Sequence, residues 1–218
     1  MNPPSTAGRS AVAGPRRSTP KRWLEALVHL GALIPLGLFA LDTALGRLSP
    51  DLIRDVTLRT GLAALVFLLL ALAVTPVVTV TGLAVLNPLR RWLGIYAFVY
   101  AALHLSIFVA IDYGFNAALL ADAVLMKPYA LAGLAALAIM LPLAATSTDA
   151  MQRRLRRNWK RLHRAAYVAG LLAVVHYIWL VKVGVIDPWW YAAVLVGLFV
   201  LRLPPVRRRV SALRKRQL

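Results

Sequence analysis

The sequence predicts an all-α, polytopic membrane protein, a bundle of about six transmembrane helices with both termini in the cytoplasm. Three observations lead to this prediction. Hydrophobic residues make up 60% of the 218 residues, and the mean hydropathy is +0.69, values typical of membrane proteins. The apolar residues occur in long blocks, and the basic residues collect at the ends of those blocks, as membrane topology requires.

Six apolar segments account for the predicted crossings. They are residues 24–41, 60–80, 92–111, 128–146, 162–181 and 188–203. Pro128 and Pro188 suit helix starts, because proline at the first helical position loses no hydrogen bond. We expect a disordered basic N-terminal tail (1–21), a transmembrane domain (22–205) and a basic cytoplasmic C-terminal tail (206–218).

The positions of the charges predict the orientation. Of the 26 lysines and arginines, 21 fall on the side of the two termini. The other side holds Arg47, Arg54, Arg59, Lys127 and Lys182, with six of the eight acidic residues. Because basic loops stay in the cytoplasm, both termini are predicted there. The net charge of +18 therefore reflects membrane topology, and we expect no nucleic-acid partner.

The chain contains no cysteine. This excludes thiolate-bound iron–sulfur clusters, covalent c-type haem attachment and cysteine-based redox catalysis. Any redox cofactor must be held by histidine or without covalent ligands.

Two of the four histidines are predicted at a similar depth in the bilayer. His104 follows Arg91 by 13 residues, and His176 follows the basic run ending at Arg164 by 12. Both distances correspond to about 20 Å along a helix, toward the outer side of the membrane. Burying a histidine side chain inside a membrane costs free energy, so a histidine at this depth suggests a functional site. Two facing imidazoles can ligate the iron of a b-type haem.

The other two histidines lie nearer the cytoplasmic side. His163 and His29 could form a second pair, but each has an alternative. His163 could contact a flavin, a quinone or the headgroups, and His29 could be an interhelical hydrogen-bond partner. On an ideal helix, His163 and His176 are about 140° apart, so the helix must bend or bulge if both ligate, or the cofactors lie against different faces.

The polar segment DAMQRRLRRNWKR (149–161) is basic and favours a helix, which Ser147 or Thr148 could cap. It is typical of a cytoplasmic loop at the headgroups. Alternatively it is a docking surface, or its arginines at 153–157 hold a flavin phosphate or a quinone head.

Three stretches carry a resemblance to a known family: RRWLGIYAFVYAALHL (90–105), KPYALAGL (127–134) and TSTDAMQRRLRRNWKRLHRAAYVAGLLAVVHYIWLVK (146–182). They resemble the MsrQ family, the haem-binding membrane subunits of bacterial protein-methionine-sulfoxide reductase systems. That family belongs to the ferric-reductase-like transmembrane group. The resemblance covers roughly residues 22–205. It implies haem-iron ligands at His104, His163 and His176. Oxidase relatives have another histidine where this chain has Arg90 and Arg91, so a second complete pair would need His29.

The resemblance also implies a function. We expect one or two haem b groups and an FMN in a multi-pass protein of the bacterial inner membrane. Electrons would pass from the respiratory quinone pool to MsrP, a periplasmic molybdopterin subunit forming a heterodimer with this chain. Reduction of methionine sulfoxide in oxidised proteins would take place on that partner, and no catalytic residue is expected here.

Two alternatives remain. A stand-alone membrane ferric or quinone reductase would share the haem but need no protein acceptor. A haem-free transporter or scaffold would use the histidines only as hydrogen-bond donors. The sequence has no Gly-x-Gly-x-x-Gly fingerprint, so we expect electrons from quinol or a separate reductase.

Overall fold

The computed structural model describes residues 22–181 and 187–216. Within these two ranges the chain forms ten α-helices and no strand. They are α1 (Arg22–Ala44), α2 (Leu52–Thr81), α3 (Leu89–Ile107), α4 (Ala117–Met126), α5 (Pro128–Ala145), α6 (Asp149–Leu155), α7 (Arg157–Leu162), α8 (Ala166–Leu180), α9 (Asp187–Val200) and α10 (Pro204–Arg216). The predicted N-terminal tail and Lys182 lie outside the described residues.

The helical membrane bundle is confirmed, since each predicted apolar segment corresponds to a helix. Four helical stretches are long and apolar enough to cross a membrane: Arg22–Ala44, Leu52–Thr81, Ala84–Asp112 and Pro128–Ala145. The third comprises a 3₁₀ turn, α3 and a π-helical turn at Phe108–Asp112. α8 and α9 are shorter, with 15 and 14 residues.

Two helical features differ from the sequence-based expectation. α4 lies between the third and fourth predicted crossings, where no helix was predicted, and the Asn116 side chain accepts hydrogen bonds from its first turn. Its ten residues span about 15 Å, too little for a membrane crossing, which is why hydropathy did not reveal it. The chain also forms α10 across the boundary predicted at residue 205, so the described C-terminal residues are helical up to Arg216.

Two antiparallel helix pairs form the centre of the bundle. α2 packs along α3, and α5 packs along α8. Contacts between α3 and α5, and between α2 and α8, join the two pairs. α2 is the central helix, because 56% of its most apolar window is buried, against 6% for the peripheral α1.

Buried side chains join the helices in two clusters. The first links α1, α2, α3, α5 and α8 and includes Ala32, Phe67, Ala97, Met140 and Ala169. The second links α2, α8 and α9 and includes Leu69, Leu72, Val174, Leu195 and Leu198. The first cluster includes five alanines, which let the helix backbones approach closely. Both clusters include residues of α8, which carries His176, and the first includes residues of α3, which carries His104.

The basic segment between α5 and α8 forms a broken helix. Thr148 caps α6 by accepting a hydrogen bond from the Met151 amide, one of the two caps predicted. Arg156 then separates α6 from α7 with φ 48° and ψ −115°, a conformation that favours glycine. The Trp159 indole donates a hydrogen bond to the Thr146 carbonyl at 2.9 Å. This bond ties α7 to the end of α5.

Candidate functional site

His104 and His176 are neighbours in the structure. Their ring centroids lie 6.1 Å apart, and the ring planes are inclined by 80°. His104 lies near the end of α3 and His176 near the end of α8, and both are partly buried. The equal depths estimated from the sequence therefore correspond to adjacent rings.

A backbone carbonyl fixes the orientation of each ring. His104 Nδ1 lies 2.8 Å from the Thr57 carbonyl oxygen, and His176 Nδ1 lies 2.6 Å from that of Tyr129. A carbonyl oxygen can only accept, so each Nδ1 carries the proton and donates it. Nε2 of each neutral ring then has a free lone pair, the form of imidazole that binds a metal.

A glycine lies against each ring. A Cβ atom added to Gly61 would lie 3.0 Å from His104 Nδ1, and one added to Gly133 would lie 2.8 Å from His176 Nδ1. Any larger residue would therefore press on the imidazole. Reasoning from the sequence missed both glycines. The signal that could have found them is the pentapeptide GLAAL, which occurs at 61–65 and again at 133–137.

The spacing and chemistry of the two rings fit a shared haem iron. An iron held between the two rings, about 2 Å from a nitrogen of each, would place the ring centroids roughly 6 Å apart. The observed separation is 6.1 Å, and hydrogen-bonded Nδ1 atoms are the usual support for metal-binding histidines. Within the described residues, no group of three or more histidine, aspartate or glutamate side chains is placed to hold a metal ion.

Gly170 lies at a close helix contact. A Cβ on Gly170 would lie 3.0 Å from a methyl carbon of Leu72 and 3.5 Å from one of Leu195. Gly170 therefore allows α8 to pack closely against α2 and α9.

His163 lies at the basic end of the bundle. Its ring stacks on Trp159, with centroids 3.9 Å apart and planes inclined by 24°. Its Nδ1 lies 3.1 Å from the Trp159 carbonyl oxygen, and its Nε2 is buried without a hydrogen-bond partner. His163 opens a 3₁₀ turn, His163–Ala165, just before α8. This turn is a departure from the ideal helix, of the kind needed if His163 and His176 both act as ligands.

A cavity of about 250 Å³ lies beside His163. Its lining residues are Arg90, Trp159, Lys160, His163, Arg164 and Tyr167. The arginines at 153–157, considered from sequence for anion binding, are not among them. Three basic side chains in the lining suit an anionic group, and the aromatic side chains suit a planar one.

His29 makes an interhelical hydrogen bond. Its Nδ1 lies 2.7 Å from the Tyr96 hydroxyl oxygen, and its ring contacts Trp92 edge-on at 4.7 Å. Among the residues that the structure describes, no hydrogen bond or ring contact links His29 to His163. The hydrogen bond to Tyr96 is the interhelical contact that the sequence offered as the alternative to haem ligation by His29.

Comparison with known proteins identifies the family. The model of the family described as ferric reductase like transmembrane component matches residues 60–174. A protein-methionine-sulfoxide reductase heme-binding subunit MsrQ from Xanthomonas oryzae pv. oryzae is 42% identical over 180 residues, which are 80% of this chain and 83% of that protein. The subunit of the same name from Klebsiella pneumoniae is 38% identical over 193 residues, 88% of this chain and 96% of that protein. The chain belongs to the MsrQ family.

Membership of the MsrQ family confirms the resemblance found in the sequence. The matched family is a transmembrane one, in agreement with the four long apolar helical stretches. No solved structure matches this MsrQ family member.

Proposed function

We propose that this MsrQ family member is a haem b electron-transfer subunit of a protein-methionine-sulfoxide reductase system. The observation that carries the proposal is the adjacent His104–His176 pair, with Nδ1 of each ring bonded to a backbone carbonyl. The names of the relatives, which are heme-binding subunits, support the same cofactor.

The residues around the pair would bind and orient the haem. His104 and His176 would supply nitrogen ligands to the haem iron, and the carbonyls of Thr57 and Tyr129 accept hydrogen bonds from the Nδ1 atoms, which fixes the orientation of both rings. A bound haem supplies a one-electron carrier. His163, with its buried and unpartnered Nε2, is the candidate ligand for a second haem.

The direction of transfer follows from the proposed orientation. α3 and α8 both begin at the basic end and run away from it, so His104 and His176 lie toward the other end. With the basic end in the cytoplasm of a bacterium, the pair lies toward the periplasmic face of the inner membrane. We propose that its acceptor is MsrP, a periplasmic molybdopterin subunit that forms a heterodimer with this chain and reduces methionine sulfoxide in oxidised proteins.

Electrons would enter from the respiratory quinone pool, and FMN would be a further cofactor. The basic cavity beside His163 supports a site for one of these groups, since Arg90, Lys160 and Arg164 can neutralise a phosphate and Trp159 can stack on a flat ring. A second candidate function is a stand-alone membrane ferric or quinone reductase. The match to the ferric reductase like family is the observation that favours this second candidate.

A reduced-minus-oxidised optical spectrum of the purified protein tests the proposal. We expect b-type haem bands, and we expect His104→Ala and His176→Ala to remove the same component, because each removes one axial ligand. His29→Ala is the control and should keep that component. Absence of haem bands would refute both candidate functions, and loss of different components in the two variants would refute the pairing.

The same preparation tests donor and acceptor. We expect added quinol to reduce the haem, and a molybdopterin protein from the same bacterium to reoxidise it when methionine sulfoxide is supplied. Reoxidation by ferric chelates alone would favour the stand-alone reductase. Flavin fluorescence after denaturation checks for FMN.

A further inference from the structure

The chain contains an internal repeat with an offset of 72 residues. The pentapeptide GLAAL at 61–65 recurs at 133–137. At the same offset, Ala97 corresponds to Ala169, and His104 corresponds to His176. Alanine and leucine are common in this chain, so the sequence match alone is weak. The structure supports the repeat, because the matched residues lie at equivalent positions of two helix pairs.

The two copies occupy equivalent places in the fold. The first copy is the antiparallel pair α2–α3, and the second is the pair α5–α8. α2 and α5 both run toward the basic end, while α3 and α8 both run away from it. Ala97 and Ala169 are both 0% exposed. This is the arrangement of parallel repeats, related by an axis along the membrane normal.

The hydrogen bonds of the two histidines are also equivalent. Each Nδ1 reaches a carbonyl 47 residues earlier in the chain, that of Thr57 for His104 and that of Tyr129 for His176. In both copies the accepting carbonyl lies four residues before the glycine that contacts the imidazole, Gly61 or Gly133.

A glycine at this position exposes the carbonyl. Side chains on a helix lean toward its N-terminus, so the residue at i+4 covers the carbonyl of residue i, which already accepts the backbone N–H of residue i+4. With no Cβ at i+4, a side chain from the neighbouring helix can reach the same oxygen. At contact distances of 3.0 and 2.8 Å, a methyl group would force the imidazole to shift away from its hydrogen-bonded position.

We propose that Gly61 and Gly133 are matched positioning residues, one in each copy of the repeat. Each opens a helical carbonyl to the Nδ1 proton of the axial histidine in its own copy and so presents Nε2 to the iron. The inference rests on the proposed haem function and adds two residues that do not touch the iron.

The matched arrangement is confined to the His104–His176 layer. At the offset of 72 residues, His163 corresponds to Arg91, which pairs with Asp149 at 3.4 Å. The Nδ1 atom of His163 bonds to a carbonyl of its own helical segment, that of Trp159. The repeat therefore supplies one pair of equivalent ligands.

Glycine-to-alanine variants test the two positions. We expect Gly61→Ala and Gly133→Ala each to weaken haem retention by about 10- to 100-fold, the usual cost of losing the outer support of a metal-binding histidine. We also expect each to change the electron paramagnetic resonance g-values of the same low-spin haem. Gly94→Ala and Gly197→Ala are matched controls, because a Cβ at either position meets nothing within 4 Å.

The outcomes separate this inference from the proposed function. Wild-type protein without haem refutes the function itself. Wild-type protein with haem, and g-values and retention in Gly61→Ala and Gly133→Ala equal to those of the controls, overturns the positioning role. If these variants do not accumulate, ¹⁵N NMR of haem-free wild-type protein decides. A proton on Nδ1 of both His104 and His176 supports the inference, and a proton on Nε2 of either overturns it.

Discussion

Hydrogen bonds at single residues divide the histidines into two kinds. Nδ1 of His104, His163 and His176 lies within hydrogen-bonding distance of a backbone carbonyl oxygen, whereas Nδ1 of His29 meets the hydroxyl of Tyr96. A carbonyl fixes the tautomer because it can only accept, but a hydroxyl can donate or accept and leaves the tautomer open. The three histidines held by carbonyls are also those that the family resemblance implies as ligands.

His29 is expected to stabilise the fold without binding haem. We predict that His29→Leu and Tyr96→Phe each destabilise the protein, and that the double variant loses about 0.6 kcal/mol less than the sum of the two, as is usual for hydrogen bonds between membrane helices. Unfolding in detergent, followed by circular dichroism, measures the coupling.

The haem spectrum is the control for this prediction. Both variants should keep the component that His104 and His176 share. Loss of haem from His29→Leu but not from Tyr96→Phe would contradict the structural role and make His29 a ligand.

Among the helical elements, the break between α6 and α7 stores backbone strain. Arg156 has φ 48° and ψ −115°, a combination that residues with a Cβ rarely adopt and that costs of the order of 1–3 kcal/mol. We predict that Arg156→Gly is about 1 kcal/mol more stable than Arg156→Ala, since both lose the charge and only glycine relieves the strain. Thermal unfolding of the two variants in the same detergent checks this. Equal midpoints would show that the break is not strained.

The two helix pairs explain why the α3 and α8 histidines meet. α3 contacts α5, and α2 contacts α8, so the pairs face each other across the bundle. Each histidine lies near the end of the second helix of its pair. The two pairs therefore place the two histidines at a similar depth, with their rings adjacent.

For the whole molecule, charge predicts the orientation. α2 and α5 end, and α3 begins, at the basic end, where Arg91 and Asp149 form an ion pair. At the other end, Arg59 and Asp42 pair at 2.7 Å and join α2 to α1. Few acidic residues neutralise the basic end, and the positive-inside rule predicts that it faces the cytoplasm.

Reporter fusions in bacterial cells measure this orientation. We expect green fluorescent protein fused after Arg216 to fluoresce and alkaline phosphatase inserted at Gly114 to be active, because the first needs the cytoplasm and the second the periplasm. The controls are green fluorescent protein inserted at Gly114, which should not fluoresce, and alkaline phosphatase fused after Arg216, which should have no activity. An active phosphatase after Arg216 would contradict the orientation and the periplasmic acceptor.

The sequence by itself determined the features that depend only on position along the chain. The lengths of the apolar blocks predicted the helices, and counting residues from the basic ends put His104 and His176 at equal depth. Position along a helix axis is proportional to residue number, so these predictions needed no knowledge of neighbouring helices.

The tertiary structure alone decided which faces meet. Helix rotation and packing brought His29 to Tyr96, lined the cavity with Arg90 instead of the arginines at 153–157, and set Gly61 and Gly133 against the imidazoles. These contacts join residues far apart in the chain. They depend on close packing between helices, which hydropathy and charge along a sequence do not encode.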